Sequence, residues 1–532
     1  MSGRVAIDFG TSNTVVACWD EATRSGRALS LADYSQTCGD NNATVPLVPS
    51  LIHYSLTGEM CIGAQVPARN LYHSPNTFRW MKRYVANRSP IRQRIGGREL
   101  SAFDAGKDFL THVMGCVAAH LDIRDEEIAL TVPVDSYEPY RDWLTGVAES
   151  AGFSRWRIID EPSAAILGYG AHPQPGRVYL GFDFGGGTLD AAVVRVEDAD
   201  AALERSPCRV LGKAGLELGG SNIDQWLFQE VLAREGRTDS DETVRRLSRS
   251  LLVECERAKE RLSAYERTDI GVTDPDCGAT LGAALTRADL EALLDRHGLA
   301  LQINRTISRA ISLAHEKGYG EDDISAVLMV GGVSMMPYVQ RAVRSRFASD
   351  RVYLDRPMDA VARGAASFVA GSDFYDHIHH DYAVRWFNPV TAKADYKVIV
   401  PRGTAYPTPD AVATEVVSAT WDGQELLGIF IYEMGATRAR GNDASSALEL
   451  VFDASGSARI VQVAPEEEQK RWLHWLNEQH PTFLKAEPAA KKGERCFALE
   501  FGVDAGKRLT LTATDLRSGR TLYRKFPVVK LN

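Results

Sequence analysis

The sequence lacks the features that mark membrane-spanning and nucleic-acid-binding chains. No run of about 18 or more uninterrupted apolar residues occurs, so no membrane-spanning helix is predicted. Lys and Arg total 61 against 70 Asp and Glu, a formal charge of −9, and the basic residues form no block. The N-terminus has no basic stretch followed by an apolar run and a small-residue cleavage site, so no signal peptide is expected. Neither nucleic acid nor a membrane is an expected partner.

Cysteine is scarce and scattered. The eight cysteines among 532 residues form no CxxC pair and no Cys/His spacing that suits zinc. They are interpreted as reduced thiols of a cytoplasmic protein. With 44% hydrophobic and 25% charged residues, the chain has the composition of a globular protein and is long enough for at least two domains.

An α/β pattern extends to about Ala370. Short β-rich runs alternate there with helical segments, and several runs end in Gly or Asp turns. Because ligands of open α/β sheets gather at the carboxyl ends of the strands, the chemistry is expected at these turns. The strand runs are Val5 to Asp8, Ile128 to Val132, Val178 to Phe182 and Ala326 to Val330, and a clear helical segment is Glu242 to Ser263.

The pattern changes after about residue 372. The stretch FYDHIHH interrupts it, and the remaining chain consists of extended runs separated by turns. We place a linker at 373–381 and an all-β domain at 382–532. Within that domain, Pro465 to His480 begins with a proline and three glutamates, which favour a helix start. A helix carrying Trp472 and Trp475 is therefore predicted.

The first candidate site is the sequence DFGTSN, which follows the strand RVAI and begins at Asp8. A Gly turn with hydroxyl residues presents backbone N–H groups and short donors to a phosphate, and the acid can hold a hydrated Mg²⁺. Taken alone, the hexamer could equally be an ordinary hairpin turn. The candidate phosphate ligands are Gly10, Thr11, Ser12 and Asn13.

The second candidate site is DFGGGTLD, from Asp183 to Asp190, again at the end of a strand. Three consecutive glycines permit an approach to phosphate oxygens that a Cβ would obstruct, although a flexible turn is the alternative. The acid, turn and hydroxyl pattern occurs twice, each time followed by apolar strand residues. Two β-hairpin phosphate clamps facing each other across a cleft are predicted. The second set of ligands is Gly185, Gly186, Gly187 and Thr188.

Together with four further motifs, these loops resemble the heat-shock protein 70 (DnaK-like) family. The further motifs are IIDEPSAAILGYG, LELGGSNID, LMVGGVSMMP and DAVARGAA, and the set spans nearly all of residues 1–370 in order. The resemblance implies a two-lobed actin-like (ribonuclease H-like) nucleotide-binding domain over 1–372. It also implies a β-sandwich peptide-binding domain over 382–532, where stretches such as VIVPRGTAYPT match. ATP or ADP and Mg²⁺ are the implied cofactors.

The resemblance assigns catalytic roles. Lys82, in NTFRWMKRY, would position the attacking water and stabilise charge on the transferring phosphoryl group, and Glu161 would help to hold the water or metal shell. Asp8 and Asp183 would organise Mg²⁺ mostly through water, with Thr188 on the phosphates. Phosphoryl transfer needs mainly this positioning and charge neutralisation. Taken singly, Lys82 would be an ordinary surface lysine.

The resemblance also assigns the nucleoside contacts. Glu256, Lys259 and Ser263 lie along one face of a predicted helix, a spacing that a solvated helix face would also show. Met335 stands where many family members stack an arginine on the adenine. The glycines implied to lie against ribose and phosphate are Gly219, Gly220, Gly331 and Gly332.

The implied partners are extended peptides or a specific client protein, a J-domain co-chaperone and a nucleotide-exchange factor. Arg157, just before IIDEP, matches an arginine that J-domains contact in the family. The chain ends at Asn532, after the last matched strand, so a clamp without the family's helical lid is expected. The linker DFYDHIHHD also departs from the family's run of leucines.

Three functional hypotheses follow from the sequence. The first is a slow ATPase and chaperone that couples nucleotide state to peptide binding. The second is a nucleotide-gated adaptor for one client, favoured by the missing lid and the unusual linker. The third, a small-molecule kinase on the same fold, fits poorly with IIDEP and VPRGTAYPT, which match the chaperone family.

Overall fold

A computed structural model describes residues 4–40, 43–121, 127–169, 173–197, 208–371, 374–375, 377–378, 380–388, 393–435, 448–453, 457–462, 473–504 and 507–531. The chain divides into two compact units. The first comprises Met1–Ser136, Tyr140–Tyr375 and Ala444–Val463, and the second Tyr137–Pro139, Asp376–Asp443 and Ala464–Asn532. Within the described ranges, no helix combines the length and apolar character needed to cross a bilayer.

The first unit mixes strands and helices. Its strands up to the unit boundary are β1 (Val5–Phe9), β2 (Asn13–Asp20), β3 (Ser25–Ala28), β4 (Gln36–Asp40), β5 (Ala43–Pro49), β6 (Ile52–Tyr54), β7 (Met60–Ile62), β8 (Thr77–Phe78), β9 (Arg92–Ile95), β10 (Arg98–Ser101), β11 (Ile128–Val132), β12 (Trp156–Asp160), β13 (Val178–Phe184), β14 (Leu189–Val196), β15 (Cys208–Leu216), β16 (Arg267–Thr273), β17 (Thr280–Thr286), β18 (Ile324–Val330), β19 (Val352–Tyr353) and β20 (Phe374–Tyr375). Its helices are α1 (Gln65–Ala68), α2 (Met81–Ala86), α3 (Ala102–His120), α4 (Glu138–Ser150), α5 (Glu161–Gly168), α6 (Gly220–Arg234), α7 (Glu242–Ala264), α8 (Arg287–Arg296), α9 (Leu299–His315), α10 (Pro337–Arg344) and α11 (Ala360–Val369).

Two mixed sheets organise this unit. The first has the order β12-β11-β1-β2-β5-β4, with β3 paired to β2, and the second has the order β19-β18-β13-β14-β15-β20. In each sheet, a buried strand runs parallel to one neighbour and forms an antiparallel hairpin with the next strand: β1 pairs with β11 and β2, and β13 pairs with β18 and β14. Strand β13 is buried along its whole length, as expected for a near-continuous apolar run covered on both faces. The strand runs predicted from the sequence are confirmed.

Helices α5 and α11 cross at a pair of glycines. A Cβ placed on Gly168 would lie 1.8 Å from the carbonyl oxygen of Ala360, and a Cβ on Gly364 would lie 1.7 Å from that of Ala164. The two backbones can approach this closely only because neither position carries a side chain. The sequence motifs IIDEPSAAILGYG and DAVARGAA supply these glycines.

The second unit contains strands and turns in the parts that the structure describes. Its strands are β21 (Asp381–Asn388), β22 (Lys393–Val400), β23 (Ala413–Ser418), β24 (Gln424–Ile429), β25 (Ile431–Met434), β28 (Leu473–Trp475), β29 (Thr482–Ala490), β30 (Arg495–Val503), β31 (Arg508–Asp515) and β32 (Thr521–Lys530). They form sheets of order β22-β21-β25-β28, β23-β30-β31-β32 and β24-β29. The buried side chains of β30 and β31, such as Phe497, Phe501 and Leu511, lie in one apolar core. After the predicted linker, the described residues of this unit are therefore strands and turns.

The remaining strands, β26 (Leu448–Phe452) and β27 (Ala458–Gln462), form an antiparallel hairpin. We call the described residues 448–453 and 457–462 the 448–462 hairpin. From the sequence it was expected in the β domain at 382–532, but it belongs to the first unit. The physical reason is burial, because Leu450, Phe452 and Ala458 lie in the core of that unit with at most 5% of their surface exposed.

The predicted helix over Pro465 to His480 is wrong for its described part. Leu473–Trp475 is a strand that pairs with β25, and 476–480 form turns. Trp475 packs against Phe430 and Tyr432 with ring centroids 5.3 and 6.0 Å apart. This cross-strand aromatic packing outweighs the local helix signal, whereas Trp472 lies outside the described residues.

Backbone pairing involves several of the described residues of the predicted linker. Phe374–Tyr375 form β20, which pairs in parallel with β15 of the first unit. Ile378 is buried in the core of the second unit, and its backbone exchanges hydrogen bonds with Thr404 and Gly403. The apolar residues of the predicted linker therefore take part in strand pairing, at Phe374 and Tyr375, and in the core of the second unit, at Ile378.

Candidate nucleotide site

The two predicted phosphate loops are hairpin turns that lie against each other. Residues 10–12 join β1 to β2, and residues 185–188 join β13 to β14. A Cβ on Gly186 would lie 2.7 Å from the Ser12 hydroxyl oxygen, and a Cβ on Gly187 would lie 2.5 Å from that of Thr11. The glycines thus allow the second loop to approach the hydroxyl side chains of the first.

Hydrogen bonds from Ser50 and Thr131, two residues outside the loop, hold the first loop and Asp8 in place. Ser50 donates its hydroxyl to the carbonyl oxygen of Gly10 at 2.8 Å, and its backbone N–H donates to that of Ser12 at 2.9 Å. The Asp8 carboxylate accepts a hydrogen bond of 2.7 Å from the Thr131 hydroxyl of β11. Asn13 is the first residue of β2, directly after the turn.

Lys82 and Glu161 form a buried ion pair. Lys82 lies on α2 and Glu161 is the first residue of α5, and each is only 5% exposed. The N-cap of α5 is Asp160, whose carboxylate accepts a hydrogen bond from the Ser163 N–H and an ion pair from Lys213. The predicted surface alternative for Lys82 is excluded by its burial.

Acidic groups outnumber Lys82 in this part of the unit. Burial raises the pKa of Asp183 well above its ordinary value, and the charges of Glu161 and Asp8 raise it further. Burial also raises the pKa of Asp8 and raises that of Glu161 to about 7, although Lys82 opposes both shifts. Burial lowers the pKa of Lys82, but Glu161, Tyr140 and Asp8 together raise it above its ordinary value. The surplus negative charge would be relieved by a bound cation.

These acids fit a hydrated Mg²⁺. The ion prefers oxygen ligands, keeps several of its waters and needs only one or two carboxylates beside substrate phosphates. The described residues contain no group of three or more His, Cys, Asp or Glu side chains arranged to hold a metal directly. Asp8 and Asp183, mutually repelling and desolvated, are the residues that would hold the ion through its water.

We expect the nucleotide-free protein to lose stability as the pH rises, because of Glu161. Its pKa is about 7 in the folded state against 4.5 ordinarily, so the folded state binds more protons and the stabilisation is lost between about pH 5 and 8. The loss should be roughly 3 kcal/mol in urea unfolding. Glu161→Gln should make the profile less steep, with the raised pKa values of Asp8 and Asp183 still contributing, and Glu99→Gln, at an exposed position of β10, should leave it unchanged. Equal slopes for wild type and Glu161→Gln would contradict the assignment.

The N-terminus of α6 contacts the second loop. The N–H groups of Gly220 and Ser221 donate to the carbonyl oxygens of Gly185 and Gly186 at 3.1 and 2.9 Å. Gly219 is required at this point, since a Cβ there would lie 2.3 Å from the Gly187 nitrogen. The LELGGSNID motif therefore brings the helix N-terminus beside the triple-glycine turn, where the helix dipole favours an anion.

The predicted nucleoside residues lie on α7, as expected. Lys259 forms an ion pair with Asp224 at 2.8 Å and donates to the Gly220 carbonyl oxygen at 3.2 Å. Ser263 follows one turn later and donates its hydroxyl to the Lys259 carbonyl oxygen at 3.1 Å. Lys259 thus connects this helix to the start of α6. Because Glu256 is buried and the 12% exposed side chain of Lys259 is paired with Asp224, a solvated helix face is excluded for them.

Glu256 is bound by two residues that the sequence analysis did not assign. Arg79 forms an ion pair with its carboxylate, and Tyr72 donates its hydroxyl to the same oxygen at 2.7 Å. Although burial opposes it, the Arg79 charge lowers the pKa of Glu256. The Arg79 guanidinium also lies 4.8 Å from the centre of the Trp80 ring. The signal for Arg79 was its place in NTFRWMKRY, three residues before Lys82.

Only part of the last glycine motif, LMVGGVSMMP, lies near the acidic residues. Gly331 has φ +84°, and a Cβ there would lie 2.6 Å from an Asp183 carboxylate oxygen, so this glycine borders the acidic cluster. Gly332 begins a one-turn 3₁₀ helix that ends at Met335. Met335 lines an open pocket of about 380 Å³ with Gln340, Arg344 and Leu354 among others. No described contact joins Met335 to the loops.

Three further buried polar residues escaped the sequence analysis. Thr131 binds Asp8, Asp190 accepts a hydrogen bond of 3.1 Å from the Val134 N–H, and Lys213 binds Asp160. Asp190 ends the DFGGGTLD motif, so its position was visible in the sequence. Lys213 sits in β15 without any motif and is placed only by strand register, opposite Ala192.

Arg157 has a structural partner. Its guanidinium donates to the carbonyl oxygen of Phe368 at 3.0 Å and lies 3.7 Å from the centre of that ring. This contact joins β12 to α11. It accounts for the arginine without a co-chaperone, so a J-domain contact stays a prediction.

Comparisons with known proteins agree with these features. A family profile described as Hsp70 protein matches residues 85–371, more than half of the chain. The chain is similar to chaperone protein dnaK1 of Prochlorococcus marinus (strain MIT 9313), with 26% identity over 545 residues, 92% of this chain and 78% of that protein. It is also similar to chaperone protein dnaK1 of Nostoc sp. (strain PCC 7120 / SAG 25.82 / UTEX 2576), with 27% identity over 97% of this chain and 71% of that protein. Chaperone protein DnaK of Stenotrophomonas maltophilia (strain R551-3) is 26% identical over 87% of this chain and 74% of its own length.

Proposed function

Because the chain belongs to the Hsp70 family, whose members are ATP-dependent chaperones, we propose that it binds ATP with Mg²⁺, hydrolyses it slowly and couples nucleotide state to the binding of extended peptide segments. The observation that carries the proposal is the contact of the two hairpin turns beside the buried Lys82–Glu161 pair. We also propose that the two sheets of the first unit form the two lobes of an actin-like domain.

The phosphates would lie at the two turns and at the N-terminus of α6. Thr11, Ser12 and Thr188 would donate hydroxyl groups to them, and the glycine backbone would donate N–H groups. Asp8 and Asp183 would hold Mg²⁺ through its water, and the bound ion would neutralise charge on the phosphate oxygens. Lys82 would stabilise the charge that develops on the transferring phosphoryl group and orient the attacking water.

Glu161 would position that water and take up a proton. A carboxyl with a pKa near neutrality is suited to proton transfer at physiological pH, and burial raises the pKa of Glu161 to about 7. Its ion pair with Lys82 holds both side chains in place. On the nucleoside side, Glu256, Lys259 and Ser263 would contact the ribose and the adenine.

Peptide binding by the second unit is supported by large apolar side chains on its surface. Exposed sheet edges bind extended peptides through main-chain hydrogen bonds, and apolar surfaces beside them contact alternate side chains of the peptide. Leu426 is 52% exposed and Trp421 is 58% exposed. The other large exposed apolar residues on the first strands of the unit are Trp386, Val398 and Val416.

A second candidate function, the nucleotide-gated adaptor for one client, is favoured by the 448–462 hairpin. A segment predicted within the peptide-binding sandwich is instead buried in the first unit. The second unit therefore has fewer strands available for a general peptide clamp than the sequence suggested.

Single-turnover ATP hydrolysis with Mg²⁺, with and without a panel of unrelated hydrophobic heptapeptides, tests the proposal. We expect slow hydrolysis that several peptides accelerate by about five- to 100-fold, since coupling between two sites is typically about 1–3 kcal/mol. Leu426→Ser should abolish the acceleration. Leu301→Ser, which removes a 54% exposed leucine from α9, is the matched control.

The possible results separate the candidates. Hydrolysis that no peptide accelerates would favour the adaptor over the general chaperone. Failure to bind ATP would overturn both. Acceleration lost equally in Leu426→Ser and Leu301→Ser would show that the apolar surface of the second unit is not the peptide site.

A further inference from the structure

We propose that the 448–462 hairpin is a strap that restrains the nucleotide site, so that nucleotide leaves only when the hairpin detaches. The inference rests on the proposed nucleotide binding and adds a regulator of release. It follows from the side chains that the hairpin contacts, which come from two separate parts of the first unit.

The hairpin contacts the segment of the first unit that carries Lys82. The Tyr84 hydroxyl of α2 donates to the carbonyl oxygen of Leu450 at 3.3 Å. The Phe452 ring lies 6.0 Å from the Trp80 ring and 6.2 Å from the Tyr84 ring, between centroids. Trp80 is 2% exposed and holds a left-handed backbone with φ 55° at the start of α2. Phe452 therefore packs on the residues that flank Lys82.

The hairpin also contacts α6, α7 and the loop between these two helices. The Leu450 N–H donates to the Gln225 side-chain oxygen of α6 at 3.0 Å, and the Ala458 N–H donates to the Ser248 hydroxyl of α7 at 2.9 Å. The Ile460 N–H donates to Asp239 at 3.2 Å. The Arg249 guanidinium of α7 lies 4.5 Å from the centre of the Phe452 ring.

The two parts of the first unit that the hairpin contacts are also the two parts that carry proposed nucleotide ligands. Lys82 lies on α2, whereas Glu256 and Lys259 lie on α7, two and three turns after Ser248. Between these parts lies a cavity of only about 20 Å³, whose lining includes Arg79, Arg249 and Phe452. Phe452 therefore packs closely at the place where the two parts meet, and the hairpin spans them. Moving them apart to release a nucleotide would break its contacts.

Two consequences distinguish a strap from a passive surface element. Weakening the hairpin should speed nucleotide release, because fewer contacts oppose separation of α2 from α7. Conversely, bound nucleotide should keep the hairpin attached, because coupling between two sites is reciprocal at equilibrium. The amides of Leu450, Ala458 and Ile460 report attachment directly, since each donates to a side chain outside the hairpin.

The experiment measures dissociation of a fluorescent ADP analogue from the full-length protein by chasing with unlabelled ADP. Phe452→Ala should accelerate release about tenfold, and Ser248→Ala, which leaves the hairpin sequence intact, about threefold. Val461→Ala is the matched control, because this hairpin side chain is 39% exposed, and its release rate should equal that of wild type. Hydrogen exchange at the three amides should slow when ADP is added to the wild type.

The outcomes are distinguishable. Wild-type release rates in both Phe452→Ala and Ser248→Ala, or hairpin amides whose exchange ADP does not change, would overturn the strap and leave nucleotide binding intact. Absence of ADP binding by the wild type would overturn the proposed function and the strap with it. Faster release in the two variants but not in Val461→Ala, together with protection by ADP, would establish the strap.

Discussion

Replacing Lys82 by alanine should lower the single-turnover rate of ATP hydrolysis by about 100-fold or more, since a preorganised charge at a developing oxyanion contributes at least that much. Lys82 is 5% exposed and is paired with Glu161, so its ammonium group acts in a desolvated environment where charge interactions are strong. No nearby basic residue is seen to replace it among the described contacts of Glu161. The measurement is rapid-quench hydrolysis with enzyme in excess over ATP.

Two comparisons make this result specific. Lys107→Ala removes an exposed lysine from α3 and should hydrolyse ATP at the wild-type rate. Affinity for ADP should change less than the hydrolysis rate in Lys82→Ala, because the lysine acts mainly on the transition state. A Lys82→Ala protein that is folded, binds ATP and hydrolyses it at nearly the wild-type rate would remove Lys82 from the mechanism.

Replacing Gly364 by alanine should destabilise the first unit by about 4 kcal/mol, because overpacking against backbone is among the few causes of such large losses. The new methyl group would lie 1.7 Å from the Ala164 carbonyl oxygen, far inside contact distance, and backbone cannot rotate away as a side chain can. Helices α5 and α11 would have to separate. Since Glu161 begins α5, the change should also displace the Lys82–Glu161 pair and reduce hydrolysis. Urea unfolding measures the loss.

Gly115→Ala is the matched control for this substitution. Gly115 lies within α3, and a Cβ there meets nothing within 4 Å. The same chemical change should therefore stabilise the protein, by about 0.5–1 kcal/mol, through helix propensity alone. Similar unfolding curves for Gly364→Ala and Gly115→Ala would mean that the two helices do not pack as closely as described.

Much of the first unit could be predicted from local sequence. Runs such as Val178 to Phe182 are apolar and β-branched, so they predict buried strands, and the structure contains them within β13. The two acid–glycine–hydroxyl loops were located by composition, because only glycine permits the approach of Gly186 and Gly187 to the other loop. Helix α7 was predicted to within a residue of its observed end at Ala264.

Long-range pairings were not predictable in the same way. The partner of Glu256 is Arg79, 177 residues away, and nothing in the local pattern of either residue indicates the other. Lys213 of β15 and Asp160 of β12 lie in different sheets, so their ion pair likewise forms only when the chain folds. The helix predicted at Pro465 to His480 was wrong because local capping signals ignored aromatic partners on another strand.

The sequence by itself determined the alternation of strands and helices, the positions of the phosphate loops and the membership in the Hsp70 family, since each of these depends on residues close together in the chain. Tertiary structure alone decided that the 448–462 hairpin belongs to the first unit, that Lys82 is buried with Glu161, and that two glycines let α5 and α11 touch. The physical reason is that burial and charge pairing depend on which distant surfaces meet, and an amphipathic hairpin can bury its apolar side chains against any complementary surface.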